Sequence, residues 1–202
     1  MRVVNVYRFS RVALPLILAA LLVPAGCAVQ PRLNTTAGVQ PTEAPVVVAP
    51  SRWQPDGPVH APTGPVVLTL TGKIGQRNVD RSALHFDAAI LDELGVVKAK
   101  VYDPWVKQEL EFQGVWMNDL INAAKPTSDA RSIHITALDN YQVDLSLADV
   151  RAGGILAATK KGDGSPIPLE EGGPVRVVFV GGVPSGASAD QWIWNLTTID
   201  VR

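Results

Sequence analysis

The sequence predicts an α+β domain: many short strands in mixed sheets, with a few short helices. Short runs of alternating apolar and β-branched residues recur from residue 66 onward, bounded by Gly, Pro and Asp-Asn turns. Helical spacing appears in brief stretches, each closed early by Gly or Pro. An apolar fraction of 47% supplies a core for one medium domain plus extra segments within 202 residues.

Charge narrows the range of functions. The formal net charge is −1 with 18% charged residues, and no cluster of cations appears. Phosphate backbones are bound by clustered Lys and Arg that release counterions, so the composition argues against nucleic acid as a partner. Cys27 is the only cysteine, which rules out an intrachain disulfide and a thiolate cluster. His60, His85 and His134 are scattered, without the spacing that gathers metal ligands. No metal-binding set is expected from them.

Residues 1–26 have the layout of a secretory signal. Arg2, Arg8 and Arg11 precede an apolar run over 12–23, and Ala25-Gly26 stand before Cys27. The run is shorter than the roughly 20 residues a bilayer span requires, and Pro15 interrupts it. An ordinary cleaved signal is one reading. The residues LVPAGC at 22–27 resemble a bacterial lipobox, with Pro24 where leucine is usual. That resemblance implies an exported lipoprotein, acylated at Cys27 and facing the periplasm or cell exterior, with the membrane as a partner. Residues 27–65 then read as a tether. Pro31, Pro41, Pro45, Pro50, Pro55, Pro58, Pro62 and Pro65 favour extended, semi-rigid chain over a packed element. Val46, Val47 and Val48 have edge-strand character, but the flanking prolines weigh against pairing.

The globular domain is expected over 66–202. Residues 66–72 (VVLTLTG) alternate as a strand ending at glycine. Residues 86–94 (FDAAILDEL) set Phe86, Ile90 and Leu94 on one helical face, and Gly95 stops them. Residues 98–102 alternate again up to Asp103-Pro104. A strand end at 110–112 leads through Gly114 into a short helix carrying Val115, Trp116, Leu120 and Ile121, closed before Pro126. Residues 132–138 and 141–145 form a hairpin through Asp139-Asn140. Ser146 caps a short helix that ends at Gly153-Gly154. Residues 155–159 are extended, KKGDGS at 160–165 is a tight turn, and 174–180 is a buried strand. A glycine-rich loop over 181–189 precedes a last strand at 192–201. On that strand Trp192 and Trp194 share a face, so both should be buried or neither.

Taken in order, these pieces resemble the molybdopterin-binding domain of the sulfite-oxidase superfamily, in its small stand-alone exported form. The resemblance rests on VVLTLTGKI, FDAAILDEL, DPW, FQGVWMNDLI, ALDNYQVDL, ILAATKKGDGSPI, GPVRVVFV and WNLTTIDV, and covers about 66–202. It implies a molybdopterin cofactor whose molybdenum is ligated by a cysteine thiolate on the strand before the 112–124 stretch. Here that strand and its exit read KAKVYDPW, without cysteine. Asp103 is the oxygen donor at that place, although Asp before Pro is commonly a turn residue. A hard carboxylate is also a poorer substitute for a soft thiolate. The expectation is a non-catalytic module for a ligand or envelope partner, with a molybdopterin-dependent oxidoreductase using an atypical ligand as the alternative.

No GxSxG, HExxH or phosphate-cradling glycine loop offers another chemistry. A surviving pocket is expected where the old ligand strand meets the loops. Tyr102, Asp103, Trp105, Asn140 and Tyr141 are its candidate binding residues, as aromatic walls with a few polar groups suit a flat organic ligand. Core packing for the aromatics and a turn role for Asn140 are the simpler readings.

Overall fold

The computed structural model describes residues 43–202, so the expected signal and Cys27 lie outside the described residues. Ten strands and three short α-helices make up the described chain: β1 (Val46–Ala49), β2 (Leu68–Gly72), β3 (Leu84–Phe86), α1 (Ala88–Glu93), β4 (Val96–Asp103), β5 (Gln108–Trp116), α2 (Met117–Ala123), β6 (Ser132–Ala137), β7 (Gln142–Ser146), α3 (Leu147–Ala152), β8 (Ile155–Lys161), β9 (Arg176–Phe179) and β10 (Leu196–Val201). They form two five-stranded sheets, ordered β1-β4-β5-β8-β9 and β3-β2-β10-β6-β7. The first sheet is antiparallel throughout. The second is mixed, since β10 runs parallel to β2 and antiparallel to β6. One continuous apolar core joins residues of both sheets, including Leu70, Phe86, Val115, Leu120, Ile135, Val177 and Ile199. The expected α+β architecture of short strands and few helices is the observed one.

Local chemistry explains most elements. Alternation on β6 buries Ile133, Ile135 and Ala137 while the residues between them stay half-exposed. Ser146 accepts the Asp149 amide as the cap of α3, and Asp87 accepts the Ile90 amide as the cap of α1. Met117, Leu120 and Ile121 form the buried stripe of α2.

Five expectations change. The 46–48 valines do pair: β1 lies antiparallel to β4, with Val46 opposite Lys98. Pro45 and Pro50 flank this strand rather than interrupt it, so its pairing amides are intact. The rest of the described part of the expected tether, 50–65, is fastened down as well. Glu93 O accepts the Arg52 and Trp53 amides at 2.9 and 3.1 Å, Asp87 Oδ2 accepts those of Thr63 and Gly64 at 2.9 and 2.8 Å, and Val59 is buried. The folded unit therefore begins before residue 66.

The 112–124 stretch divides later than its spacing suggests. Val115 and Trp116 belong to β5, and α2 starts only at Met117. The strand continues because β8 pairs with it through Trp116, which outweighs helical spacing. The 86–94 stretch likewise splits: Phe86 pairs with Leu68 as the end of β3, and the helix begins after Asp87. Finally, Trp192 and Trp194 precede β10 rather than sharing its face. Trp192 is buried and Trp194 only half-buried.

Candidate functional site

The site grows from the end of β4. Strand alternation buries Val101 and Asp103 and turns Tyr102 outward. Asp103 has no exposure at all. Its Oδ1 accepts the backbone amides of Trp105 and Val106 at 2.9 and 3.2 Å, which folds the following turn and presents Trp105 at the surface. Its Oδ2 accepts Nη2 of Arg176, on β9, at 2.8 Å.

Arg176 is the counterpart of this carboxylate. Its side chain is 3% exposed, Nη1 donates to Glu171 O at 3.1 Å, and Nε has no protein acceptor. The guanidinium carbon lies 4.8 Å from the Phe112 ring centre, 4.7 Å from Trp194 and 5.9 Å from Trp192, all within cation–π range. Burial pushes its pKa down from the ordinary value, and the charge and hydrogen bond of Asp103 pull it back up. The guanidinium stays charged throughout.

A cavity of about 380 Å³ is bordered by Trp105, Trp192 and Trp194, which also neighbour this pair. Trp105, Tyr141, Trp192 and Trp194 supply aromatic walls, with Ala137, Asp139 and Asn195 completing them. Tyr141 donates its hydroxyl hydrogen to Asp190 O at 2.9 Å, and Asp139 Oδ1 accepts the Tyr141 amide at 2.9 Å. The Asn195 side-chain amide donates to Leu169 O and Gly173 O at 2.7 and 2.6 Å. Trp192 meets Phe179 edge-to-face, with ring centres 6.1 Å apart, and its Nε1 has no protein acceptor. Gly172 sits at φ +92°, and a Cβ there would come within 2.8 Å of the Trp194 ring, so glycine seats that indole.

Of the five residues expected to form a site, Trp105 and Tyr141 line the cavity. Asp103 lies beneath Trp105 as a buried ion-pair partner. Tyr102 and Asn140 do not line it. Tyr102 is on the opposite strand face, and Asn140 adopts φ 65° as the turn of the β6–β7 hairpin. Sequence reasoning missed Arg176, Trp192, Trp194 and Asn195 as parts of this site. Arg176 was the legible one: a lone cation inside PVRVVFV demands a buried partner.

Residues 93–202 match the family model described as the oxidoreductase molybdopterin binding domain, and the chain belongs to that family. Among solved structures, the fold is similar to that of the sulfane dehydrogenase SoxCD from Paracoccus pantotrophus. The TM-score is 0.51 at 13% identity, covering 66% of this chain and 37% of that one. The chain therefore spans little more than a third of the matched SoxCD chain, and the likeness at this identity is one of fold. No curated protein sequence matched the chain.

The family's domain binds molybdopterin, so the donors present bear on the metal it carries. Among the described residues no group of three or more His, Cys, Asp or Glu converges as a metal site. Cys27 is the one sulfur nucleophile in the sequence and lies outside the described residues. Both oxygens of Asp103 are engaged, by a buried guanidinium and by turn amides. His60, His85 and His134 each lie against a carboxylate, Glu93, Asp80 and Asp144 respectively. These described side chains do not fit a thiolate-held molybdenum centre, nor an Asp103-held one.

Proposed function

We propose that this chain is an envelope lipoprotein, exported and acylated at Cys27, whose sulfite-oxidase-like domain is a non-catalytic module for a small ligand or envelope partner. The supporting observation is Asp103. It is the oxygen donor at the strand end where the family resemblance expects a thiolate, and it is committed to Arg176 and to its own turn. An Asp released to bind metal would leave a buried guanidinium without its counter-ion, which costs several kcal/mol. The aromatic cavity beside it gives the module its binding surface.

Family membership favours one rival, a molybdopterin-dependent oxidoreductase with an atypical ligand. Protein purified from the native envelope separates the two by molybdenum content and pterin fluorescence. The binding-module reading expects no stoichiometric molybdenum, and one metal per chain overturns it. In the same preparations Cys27→Ser is expected to leave the membrane fraction or to accumulate unprocessed. Unchanged mass and fractionation would remove the lipoprotein assignment.

A further inference from the structure

Apart from the indole N–H groups, the polar side-chain groups around the aromatic cavity offer acceptors. Asn195 spends both amide hydrogens on Leu169 O and Gly173 O, so it turns an acceptor oxygen to any further partner. Tyr141 spends its hydroxyl hydrogen on Asp190 O and keeps acceptor lone pairs. Asp139 uses Oδ1 for a backbone amide and forms no ion pair among the described residues. Four aromatic rings add π faces, whose quadrupoles are negative. No Lys, Arg or His lines the cavity. The nearest buried cation, Arg176, packs against Trp192 and Trp194 and is neutralised by Asp103.

From this we infer that the cavity between Trp105, Tyr141, Trp192 and Trp194 binds a small organic cation, an alkylated ammonium. An anion would meet a carboxylate, two acceptor oxygens and the negative faces of the rings. An alkylammonium meets the same groups favourably: its methyl groups cover indole surface, its charge faces the rings and Asp139, and it needs few donors from the protein. The indole N–H groups of Trp105, Trp192 and Trp194 are the donors among the lining side chains, and that of Trp192 is buried. The volume of about 380 Å³ falls within the range of small-molecule sites.

This inference rests on the reading of the domain as a binding module, and its test is arranged to fail separately. Tryptophan fluorescence and melting temperature of the full processed chain are followed during titration with choline, with tetramethylammonium and with 3,3-dimethylbutan-1-ol, the neutral carbon analogue of choline. Choline is expected to give a saturable response, with the neutral analogue at least about tenfold weaker. Asp139→Asn keeps the Oδ1 acceptor for the turn and removes only the charge, and Trp105→Ala alters an exposed ring; each is expected to weaken choline about tenfold. Equal binding of choline and the neutral analogue overturns the cation assignment and leaves a ligand-binding module standing. No saturable response to either compound overturns the assignment too, while the molybdenum content decides the wider reading independently.

Discussion

Removing the Arg176 guanidinium would strand the Asp103 carboxylate in a place with no solvent exposure. Arg176→Met is therefore expected to cost about 3–5 kcal/mol of stability in urea melts, the usual consequence of leaving one member of a buried ion pair. Combining it with Asp103→Asn should recover much of that loss. The asparagine carbonyl still accepts the Trp105 and Val106 amides, and no lone charge remains buried. The two residues stand 73 positions apart, so their meeting is a tertiary event. The sequence reading passed over Arg176, although a cation inside an apolar strand calls for a buried partner. Which carboxylate would answer was not visible, since Asp-Pro reads equally well as a plain turn.

Elements carry a second layer of control. Asp87 caps α1 and also holds the 63–64 backbone against it. Burial pushes its carboxyl up, but the amides of Ile90, Gly64, Thr63 and Ala89 together outweigh burial and hold it below the ordinary value. A depressed folded-state pKa means that this stabilisation is complete above the unfolded value of about 3.9. It is lost as pH falls through the folded value. Asp87→Ala is expected to cost about 1–2 kcal/mol at neutral pH. Its stability curve should also decline less steeply below about pH 4, which acid titration followed by circular dichroism would check. The β5–β8 contact is equally particular. The register shifts between Gln113 and Gly114, and a Cβ on Gly114 would collide with the backbone of Ala157 and Ala158. Spacing alone pointed to a helix soon after this glycine. Strand pairing carried β5 on to Trp116, because ladder hydrogen bonds and burial outweigh a short stretch of helical periodicity.

For the molecule as a whole, the segment before residue 66 decides stability. A chain starting at Val66 lacks β1, the Arg52 and Trp53 hydrogen bonds to Glu93, and the buried Val59. Val59 alone accounts for about 1.5–3 kcal/mol of burial. At about 2–4 °C per kcal/mol, its loss lowers the melting temperature by on the order of 5–10 °C. Calorimetry of chains starting at Glu43 and at Val66 should show at least that difference, with β4 left as an open edge in the shorter one. Proline content suggested a tether through this region, since composition reports a preference for extended chain. An extended chain is also what an edge strand and a surface strap require, so only packing distinguishes the two.

By itself the sequence determined the α+β character, the order of most strands, the caps at Ser146 and the glycine stop at Gly95, and the confinement of cysteine to position 27. These follow from spacing, turn chemistry and counting, which act over a few residues or none. Tertiary structure decided that β1 joins the first sheet, that Asp103 meets Arg176, and that Trp105, Tyr141, Trp192 and Trp194 surround one cavity while Tyr102 faces away. Those outcomes depend on sheet order and on which strand face is buried, and contacts so distant along the chain leave no periodic signature within it.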